Sequence, residues 1–588
     1  MIAVWRYRVE NIEIAAVLQN VADLLEIKGA NPFRIRAYRN AAQVVAEWAA
    51  PLRKLVEEEC DLTELPSIGK DMARHIEELV SRGELMLLQE LSQDVPLSLV
   101  ELTRLPGLGA KKARKLWDEL GVETLDDLES AAERGAIATL PGFGEKTQDK
   151  ILTAIDRYRK RRGRMKLGDA DQHAVPLLDY LRANPEVKRV EVAGSYRRRR
   201  ETVRDLDVLV IATQAEAVMG YFTSYPDIKQ VESSGETRST VVLRSGLQVD
   251  LRIVAPQSYG AALSYFTGSK EHNVKLRMRA IQRGLRLSEY GVFRGGEEEA
   301  GDPWAGEFVA GRDENEVYES LGLAWIPPEL RENRGEIEAA ERSELPDLIT
   351  VGAIRGDLQM HSTWSDGKNT LEEMLEACVA RGYEYFAITD HSKALAMTGG
   401  LDGAKLREQW TEIDEIAERH PGIEIMRGME VDILGDGALD LEDAMLAQLD
   451  IVLISVHSRF DLPPGDQTER IIKALGHPAV NVLAHPTGRQ INRRDPMQFD
   501  LDAVLQSAAD SGVAVELNAH PDRLDLNDVQ LMRARELGCD IVISTDAHRT
   551  TDLDLMRYGV EQARRAWLQP ADVLNTLPFT ELVRRLQR

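Results

Sequence analysis

Hydrophobic positions change their spacing along the chain and divide it into a helical first part and later parts that contain strands. In the first 165 residues, apolar side chains recur at helical spacing in MARHIEELV, ARKLWDEL and QDKILTAI. Further on, continuous apolar runs predict strands at Val190–Ala193 and Leu206–Ala212 on either side of a tight turn at Gly194–Ser195. Beyond residue 350, apolar strands alternate with amphipathic helices, which predicts a parallel βα architecture.

Three short segments of the helical part repeat one another. LPSIGK from Leu65, LPGLGAKKA from Leu105 and LPGFGEKT from Leu140 each read L-P-x-x-G before a helix. This is the pattern of a helix-hairpin-helix, whose glycines let backbone N–H groups approach a phosphate at the positive end of a helix. Three copies predict sequence-neutral binding of a nucleic-acid backbone. The predicted contacts are Gly69, Lys70, Gly107, Gly109, Gly142 and Gly144.

The local charge supports this interpretation, although the chain is acidic overall. Its 98 Asp and Glu outnumber 73 Lys and Arg, for a net charge of −25. The run RYRKRRGRMK at 157–166 nevertheless has seven cations and no acid. Local charge decides phosphate contact because screening removes distant charges beyond ~10 Å. A solvated helix end is the alternative interpretation of the run.

Composition also limits the class of protein. No apolar run reaches the ~18 residues of a membrane span, and the first residues lack a signal-peptide core and a cleavage site. The cysteines Cys60, Cys378 and Cys539 lie far apart and form no CxxC motif. We therefore expect a cytoplasmic protein whose cysteines are reduced core thiols.

The segment GSYRRRRETVRDLDVLV, residues 194–210, places four arginines and two aspartates before an apolar strand. Asp205 and Asp207 lie two apart and share one face of that strand, and Asp250 lies in a hairpin that turns at Ser245–Gly246. Three carboxylates on neighbouring strands could hold two Mg²⁺ ions that activate a hydroxyl and steady a leaving pyrophosphate. The arginines are expected to face the triphosphate. For a DxD motif alone, solvated strand-end aspartates are the alternative.

With SYFTGSKEHNVKLR at 264–277 and ANPFRIRAYRNAA at 30–42, these motifs resemble those of family X DNA polymerases, the DNA polymerase beta group. The resemblance covers about residues 10 to 325. It implies a nucleotidyltransferase palm that uses Mg²⁺ or Mn²⁺ on Asp205, Asp207 and Asp250 for attack of a primer 3′-hydroxyl on a deoxynucleotide. The implied nucleotide-binding residues are Gly194, Ser195, Arg198, Tyr265, Phe266, Gly268, Ser269 and Asn273. Arg277 is implied to contact the template strand.

Three positions depart from the animal enzymes. Arg204 replaces a glycine before the first aspartate, and Lys270 replaces an acid beside the base, so both add positive charge near the nucleotide. His75 stands where the animal gap-filling relative has a lysine that forms a Schiff base with a 5′-deoxyribose phosphate. Imidazole cannot form that imine, so we expect 5′-phosphate binding without efficient lyase chemistry. The residues expected to bind this phosphate are Arg34, Tyr38 and Lys70.

The last 240 residues place histidines and carboxylates at the ends of predicted parallel strands. The ends of such strands converge on one mouth of a barrel. Imidazole together with carboxylate suits Zn²⁺, Mn²⁺ or iron rather than Mg²⁺. The candidate ligands are His361, Asp366, His391, Glu430, His457, His485, Asp546 and His548. His420 and His477 lie at helix ends and are interpreted as structural, whereas His520 stays ambiguous.

This set resembles the polymerase-and-histidinol-phosphatase (PHP) domain that follows bacterial family X polymerases. The match covers about residues 353 to 575 and implies a distorted (β/α)7 barrel with two or three Mn²⁺ or Zn²⁺ ions. The implied ligand sets are His361, Glu430 and Asp546; Glu430, His457 and His485; and Asp366, His391 and His548. Gln359 departs from the pattern because many relatives have a histidine two residues before His361, and an amide is a weaker ligand.

The sequence thus predicts a multidomain α+β and α/β protein. The expected parts are an N-terminal helical domain like the family's 8-kDa domain at 1–90, a helical DNA-binding domain at 91–165, the palm at 166–256, a nucleotide-binding and template-contact subdomain at 257–326, a linker at 327–350, and the PHP domain at 351–588. The expected function is gap-filling DNA synthesis in base-excision-type repair with metal-dependent 3′–5′ exonuclease or 3′-end processing. A monomer that acts on gapped or primer-template DNA and deoxynucleoside triphosphates, away from membranes, is expected. The alternatives are a phosphoesterase for small phosphates with an idle polymerase half, and a non-catalytic DNA-binding scaffold.

Overall fold

The chain folds into two compact units, residues 1–162 and 163–588. The computed structural model describes residues 11–48, 52–58, 60–105, 107–161, 163–295, 302, 304–395 and 398–587. Within these ranges no helix combines the length and apolar character needed to cross a membrane. Cys378 and Cys539 are buried free thiols as expected, but Cys60 is exposed, so the prediction of three core thiols is wrong for Cys60.

The described part of the first unit is helical. Its helices are α1 (Asn11–Lys28), α2 (Pro32–Glu47), α3 (Leu52–Glu57), α4 (Lys70–Arg82), α5 (Met86–Asp94), α6 (Ser98–Thr103), α7 (Ala110–Leu120), α8 (Leu125–Glu133) and α9 (Glu145–Arg161). The spacing of Ile14, Leu18, Val21 and Leu25 turns one face of α1 inward, and all four are buried in the core of the unit. Helical periodicity therefore predicted this part correctly.

The three hairpins repeat one backbone geometry. The residue after the hairpin proline has a left-handed φ, namely 59° at Ser67, 81° at Gly107 and 89° at Gly142. Glycine adopts this conformation without steric strain, which explains two of the three repeats. Gly69 and Gly109 then cap α4 and α7 without a side chain, and nothing lies within 4 Å of a Cβ built on either.

The second unit begins with a five-stranded sheet in the order β2-β4-β7-β6-β5. The elements are β1 (Met165–Lys166), α10 (Leu167–Arg182), β2 (Val187–Val192), α11 (Gly194–Arg197), β3 (Thr202–Val203), β4 (Asp205–Ala212), α12 (Ala215–Thr223), β5 (Ile228–Ser234), β6 (Arg238–Leu243) and β7 (Gln248–Ile253). β4 and β7 run parallel, whereas the other neighbours in this sheet are antiparallel. The predicted tight turn at Gly194–Ser195 is instead the start of the short helix α11.

A smaller helical and antiparallel part follows. Its elements are α13 (Tyr259–Thr267), α14 (Lys270–Gln282), β8 (Leu285–Ser288), β9 (Gly291–Arg294), β10 (Glu307–Ala310), α15 (Glu314–Ser320) and α16 (Glu336–Arg342). The segment expected to be a linker, 327–350, contains α16 and buries Leu330, Ile337 and Leu348 in the same core as Val317. Its prolines and charges suggested a tether, but its apolar residues pack it against the preceding helices.

The remainder is a seven-stranded parallel sheet in chain order, β11 to β17, with helices between the strands. The elements are β11 (Gly356–Asp357), α17 (Leu371–Ala380), β12 (Tyr385–Ile388), α18 (Gly403–Arg419), β13 (Glu424–Asp432), α19 (Asp443–Leu446), β14 (Ile451–Ser455), α20 (Pro464–Leu475), β15 (Val482–Leu483), α21 (Leu501–Asp510), β16 (Ala514–Asn518), α22 (Asp528–Glu536), β17 (Ile541–Ser544), α23 (Met556–Arg565) and α24 (Phe579–Leu586). A parallel bridge joins Met360 to Ala547, and the His361 N–H donates to the Ala547 oxygen at 2.8 Å. The sheet is therefore a nearly closed barrel, and the predicted fold class is confirmed.

Successive side chains along the barrel strands alternate between two hydrophobic clusters. Phe386 and Ile388 of β12 pack with residues from the surrounding helices, whereas Tyr385 and Ala387 pack in the other cluster with Leu582 of α24. Strands buried on both faces must be apolar at every position, which explains their continuous hydrophobic runs. Because the strands are parallel, the polar residues that follow them are gathered at one end of the barrel.

Candidate active sites

β4 and β7 bring the three predicted catalytic aspartates to one place in the first sheet of the second unit. Asp205 and Asp207 alternate with the buried residue Leu206, so both carboxylates lie on the same face. Asp207 is the register partner of Asp250 on the parallel strand β7. Among the described residues, the three aspartates are not one of the groups whose ligand atoms all lie within 4.8 Å of one another.

Neighbouring side chains hold the Asp250 carboxylate. Thr240 Oγ1 donates to Asp250 Oδ1 at 2.6 Å, and Gln248 Nε2 donates to Oδ2 at 2.7 Å. Gly194 leaves space for Asp207, because a Cβ at Gly194 would lie 2.7 Å from Asp207 Oδ2. The φ of +64° also favours glycine at this position.

The aspartates disfavour one another's charge. Burial, followed by the charges of Asp205 and Asp250, raises the pKa of Asp207 to about 6. Burial and the Asp250 charge also raise the pKa of Asp205. Clustered carboxylates of this kind need a cation or a proton between them.

All four arginines of the run pair with carboxylates of the protein, which corrects the expectation that the run as a whole faces a triphosphate. The pairs are Arg197–Glu314 at 2.8 Å, Arg198–Glu332 at 3.1 Å, Arg199–Glu561, and Arg200–Glu332 at 3.3 Å. A buried guanidinium needs a counter-ion, and these arginines find theirs within the second unit. Arg198 borders the predicted nucleotide residues, since its Nη1 lies 3.1 Å from a Cβ built on Gly268.

The segment from Tyr265 to Asn273 is ordered by its own polar contacts. Asn273 Nδ2 donates to the Tyr265 backbone oxygen at 2.6 Å. Ser269 caps α14 by accepting from the His272 N–H at 3.3 Å, and Phe266 lies under the Arg252 guanidinium at 4.5 Å from its ring centre. Ser195 lies in the first turn of α11, and Arg277 is exposed on α14.

In the first unit, the predicted 5′-phosphate residues divide into exposed and buried ones. Arg34 and Lys70 are exposed. Tyr38 is only 2% exposed, and its hydroxyl lies 3.2 Å from Nδ1 of the buried His75. Tyr38 therefore supports His75 from inside the core. Several side chains of the basic run 157–166 and all of Arg162 lie outside the described residues.

At the polar end of the barrel, Glu430 is the centre of a cluster of imidazoles. Its Oε1 lies 2.8 Å from His485 Nε2 and 3.4 Å from His457 Nε2. Its Oε2 lies 3.3 Å from His391 Nδ1 and 3.5 Å from His361 Nε2. Burial would raise the pKa of Glu430, but the imidazoles hold it well below its usual value.

The other predicted ligands extend this cluster on the side of His361. Asp546 Oδ1 lies 3.1 Å from His361 Nε2. Asp366 Oδ1 lies 3.5 Å from His548 Nε2 and 3.7 Å from His391 Nε2. The groups whose ligand atoms all lie within 4.8 Å of one another are His361, Asp366, His391 and His548; His391, Glu430 and His457; and His361, Glu430 and Asp546.

The donor atoms fit transition-metal ions. The groups combine imidazole nitrogen with carboxylate oxygen, which suits Mn²⁺, Zn²⁺ or iron. Oε2 of Glu430 is buried and makes no hydrogen bond within the described part of the chain. A buried carboxylate oxygen surrounded by imidazoles is readily explained as a ligand atom.

Gln359 is buried beside this cluster. It is 0% exposed, and neither its Oε1 nor its Nε2 has a hydrogen-bond partner among the residues described. Gln359 lies two residues before His361, just after the end of β11. A polar group of this kind is destabilising unless something outside the protein satisfies it.

Sequence reasoning missed residues that support the ligands. Asp432 Oδ1 lies 3.2 Å from His457 Nδ1, and Asn518 Nδ2 donates to Asp546 Oδ2 at 3.1 Å. Arg523 Nε lies 3.7 Å from the same Asp546 oxygen. The spacing of Glu430 and Asp432, two residues apart on one strand, was the available signal for Asp432.

Four known families each match a separate part of the chain. Residues 9–85 match a helix-hairpin-helix domain, and residues 99–157 match a SAM-like helix-hairpin-helix tandem. Residues 262–332 match the DNA polymerase beta thumb, and residues 357–520 match the PHP domain. The fold and both sites thus define a polymerase-beta-like core followed by a PHP domain.

Over its full length the chain is similar to one such protein. The DNA polymerase/3′-5′ exonuclease PolX of Bacillus subtilis (strain 168) is 40% identical over 578 residues, which are 98% of this chain and 99% of the relative. The chain therefore belongs to the family X DNA polymerases with a C-terminal PHP domain.

More distant relatives each match one part of the chain. DNA polymerase lambda of Arabidopsis thaliana is 25% identical over 322 residues, 50% of this chain and 57% of the relative. A probable phosphatase of Thermoanaerobacter sp. (strain X514) is 27% identical over 218 residues, 35% of this chain and 84% of the relative.

Proposed function

We propose that this protein fills short gaps in DNA during repair and removes nucleotides from 3′ ends with its PHP domain. The observation that carries the polymerase activity is the register of β4 and β7, which pairs Asp207 with Asp250 beside Asp205. The cluster around Glu430 carries the nuclease activity. The B. subtilis relative, named as a polymerase and a 3′-5′ exonuclease, supports both.

In the palm, different residues would hold the metal ions and the nucleotide. Asp205, Asp207 and Asp250 would hold two Mg²⁺ or Mn²⁺ ions, which when bound activate the primer hydroxyl and neutralise phosphate charge. Arg198, with Gly194 and Ser195 of α11, would bind the triphosphate. Asn273, oriented by the Tyr265 carbonyl, would face the incoming base.

In the barrel, the ligand groups around Glu430 would hold two or three Mn²⁺ or Zn²⁺ ions, which lower the pKa of bound water toward neutrality. Asp432 holds the His457 ring in place, and Asn518 holds Asp546. The guanidinium of Arg523 lies beside Asp546, where it could bind a phosphodiester of the substrate. Each of these residues orients a ligand or the substrate.

The hairpins would bind the DNA backbone without regard to sequence. Gly69 and Gly109 leave the first N–H groups of α4 and α7 open, since no atom lies within 4 Å of a Cβ built on either. Efficient lyase chemistry is not expected, because His75 stands where the lyase lysine is expected and imidazole forms no imine. Borohydride treatment with 5′-deoxyribose-phosphate DNA should trap no covalent adduct in residues 1–90.

A labelled primer on gapped DNA tests the proposal. Lengthening with deoxynucleotides and Mg²⁺, and shortening with Mn²⁺ alone, are expected from the wild-type chain. Shortening without lengthening would favour a phosphoesterase with an idle polymerase half. DNA binding without either reaction would favour a scaffold.

A further inference from the structure

Arg198, the arginine proposed to bind the triphosphate, is held in place on two sides. Its Nε donates to Glu332 Oε1 at 3.1 Å, and its Nη1 donates to the backbone oxygen of Thr267. Its side chain is 11% exposed. Among the described residues these hydrogen bonds use Nε and Nη1, which leaves Nη2 to donate to an anion.

Glu332 is in turn held from the PHP domain. Arg565, in the last turn of α23, donates to Glu332 Oε1 at 3.1 Å and to the Arg198 backbone oxygen at 2.6 Å. The other side of its guanidinium donates to Asp528 Oδ2 at 2.6 Å, and Asp528 also accepts from Arg334 at 3.0 Å. Arg565 is 2% exposed and Glu332 8% exposed at the side chain. A buried chain of ion pairs therefore connects the barrel with the nucleotide arginine.

One face of α23 makes this connection. Tyr558 and Glu561 precede Arg565 by seven and four residues, so all three lie on one side of the helix. The Tyr558 hydroxyl donates to Asp171 at 2.9 Å, and Glu561 pairs with Arg199. The helix is thus attached to the palm directly beside Arg198.

We propose that Glu332 is a positioning residue for the incoming nucleotide, and that Arg565 and Asp528 make nucleotide affinity depend on the PHP domain. The inference rests on the proposed function, since it takes Arg198 as a ligand of the triphosphate. It adds that a barrel residue remote from the palm carboxylates affects synthesis through Arg565.

Two opposing effects of Glu332 decide the sign of the expected change. Its carboxylate attracts Arg198 and so competes with phosphate, but it also fixes a side chain that otherwise has many rotamers. Glu332 is shared with Arg200 and Arg565, so three cations already compensate its single charge. Prior orientation of Arg198 is therefore the larger effect, because it removes an entropy loss from nucleotide binding.

Single-nucleotide insertion on gapped DNA tests the inference with Glu332→Gln and Asp528→Asn. Both variants should raise the deoxynucleotide KM roughly three- to tenfold while kcat at saturating nucleotide stays within about twofold. The exonuclease rate of Asp528→Asn should equal that of the wild type. Asp540→Asn is the matched control, because it removes a barrel carboxylate that pairs with Arg585 at 2.9 Å. That control should keep the wild-type KM.

The outcomes separate this inference from the proposed function. A wild-type chain that extends primers, with unchanged or lower KM in both variants, overturns the inference and leaves the function standing. A wild-type chain that inserts no nucleotide overturns both. If Asp528→Asn also loses its exonuclease activity, its fold is damaged. The deoxynucleotide KM values of the two single variants Glu332→Gln and Arg565→Lys then test the inference. Lysine keeps the charge of Arg565 but lacks the planar fork that reaches all three partners, so its KM should also rise.

Discussion

His485 Nε2 lies 2.8 Å from Glu430 Oε1, while the other oxygen of that carboxylate lies 3.3 Å from Nδ1 of His391. One buried carboxylate thus faces imidazoles that come from different strands of the barrel. Glu430 belongs to two of the groups whose ligand atoms lie within 4.8 Å of one another, so it would help to hold more than one ion. For this reason we propose that Glu430 is the central ligand of the nuclease site.

Replacing His457 should remove degradation and spare synthesis. His457 lies 3.4 Å from Glu430, so His457→Ala removes one proposed ligand from the cluster. The Mn²⁺-dependent shortening rate should fall ~10³-fold or more, as expected for loss of a catalytic metal ligand. His477→Ala is the control, since His477 contacts Asp443 outside the cluster. Continued shortening by His457→Ala would refute this ligand assignment.

Restoring a histidine at Gln359 should strengthen metal binding. Imidazole is a better ligand than an amide, and both amide atoms of Gln359 are buried without a partner in the described part of the chain. Gln359→His should lower the Mn²⁺ concentration for half-maximal shortening by at least about tenfold. Equilibrium dialysis should show the matching rise in bound metal. Gln359→Asn, which keeps the amide, should show neither effect.

Magnesium dependence should change with pH around the pKa of Asp207, which is raised to about 6. Below that pH the protonated carboxyl opposes binding of the ion, so the Mg²⁺ needed for half-maximal extension should rise roughly tenfold per pH unit. In the metal-free protein, the folded state binds the Asp207 proton more tightly than the unfolded state does. The free energy of unfolding therefore falls as the pH rises from the ordinary Asp pKa of 3.8 toward about 6. A Mg²⁺ requirement independent of pH between about 5 and 7 would contradict this account.

The hairpins give a prediction about DNA affinity. Gly109 has an ordinary φ of −70° and open space at its Cβ position, so Gly109→Val should not strain the fold. It should still weaken binding, because a branched side chain keeps phosphate away from the N-terminus of α7. Titration at two salt concentrations should show a weaker complex for every DNA sequence, with a smaller effect for Gly109→Ala. Equal affinity of wild type and Gly109→Val would remove this hairpin from the DNA interface.

The sequence could predict elements and motifs better than partners. Helical spacing located α4, α7 and α9, and the ends of apolar runs located the ligands of the barrel. The pairing of Arg565 with Glu332 was not predictable, because the two residues are 233 positions apart and buried ion pairs have no periodic signal. The four adjacent arginines suggested a triphosphate site because their carboxylate partners, such as Glu314 and Glu561, lie far along the chain and could not be recognised from the sequence.

We propose that two separate metal sites perform synthesis and degradation. We would measure both reactions on one labelled gapped substrate with Asp207→Ala and with Glu216→Gln, an exposed carboxylate of α12, as the control. Asp207→Ala should lose nucleotide addition by ~10³-fold or more and keep the Mn²⁺-dependent shortening of the wild type. Equal loss of both reactions in a folded Asp207→Ala protein would show that the two reactions do not use separate sites.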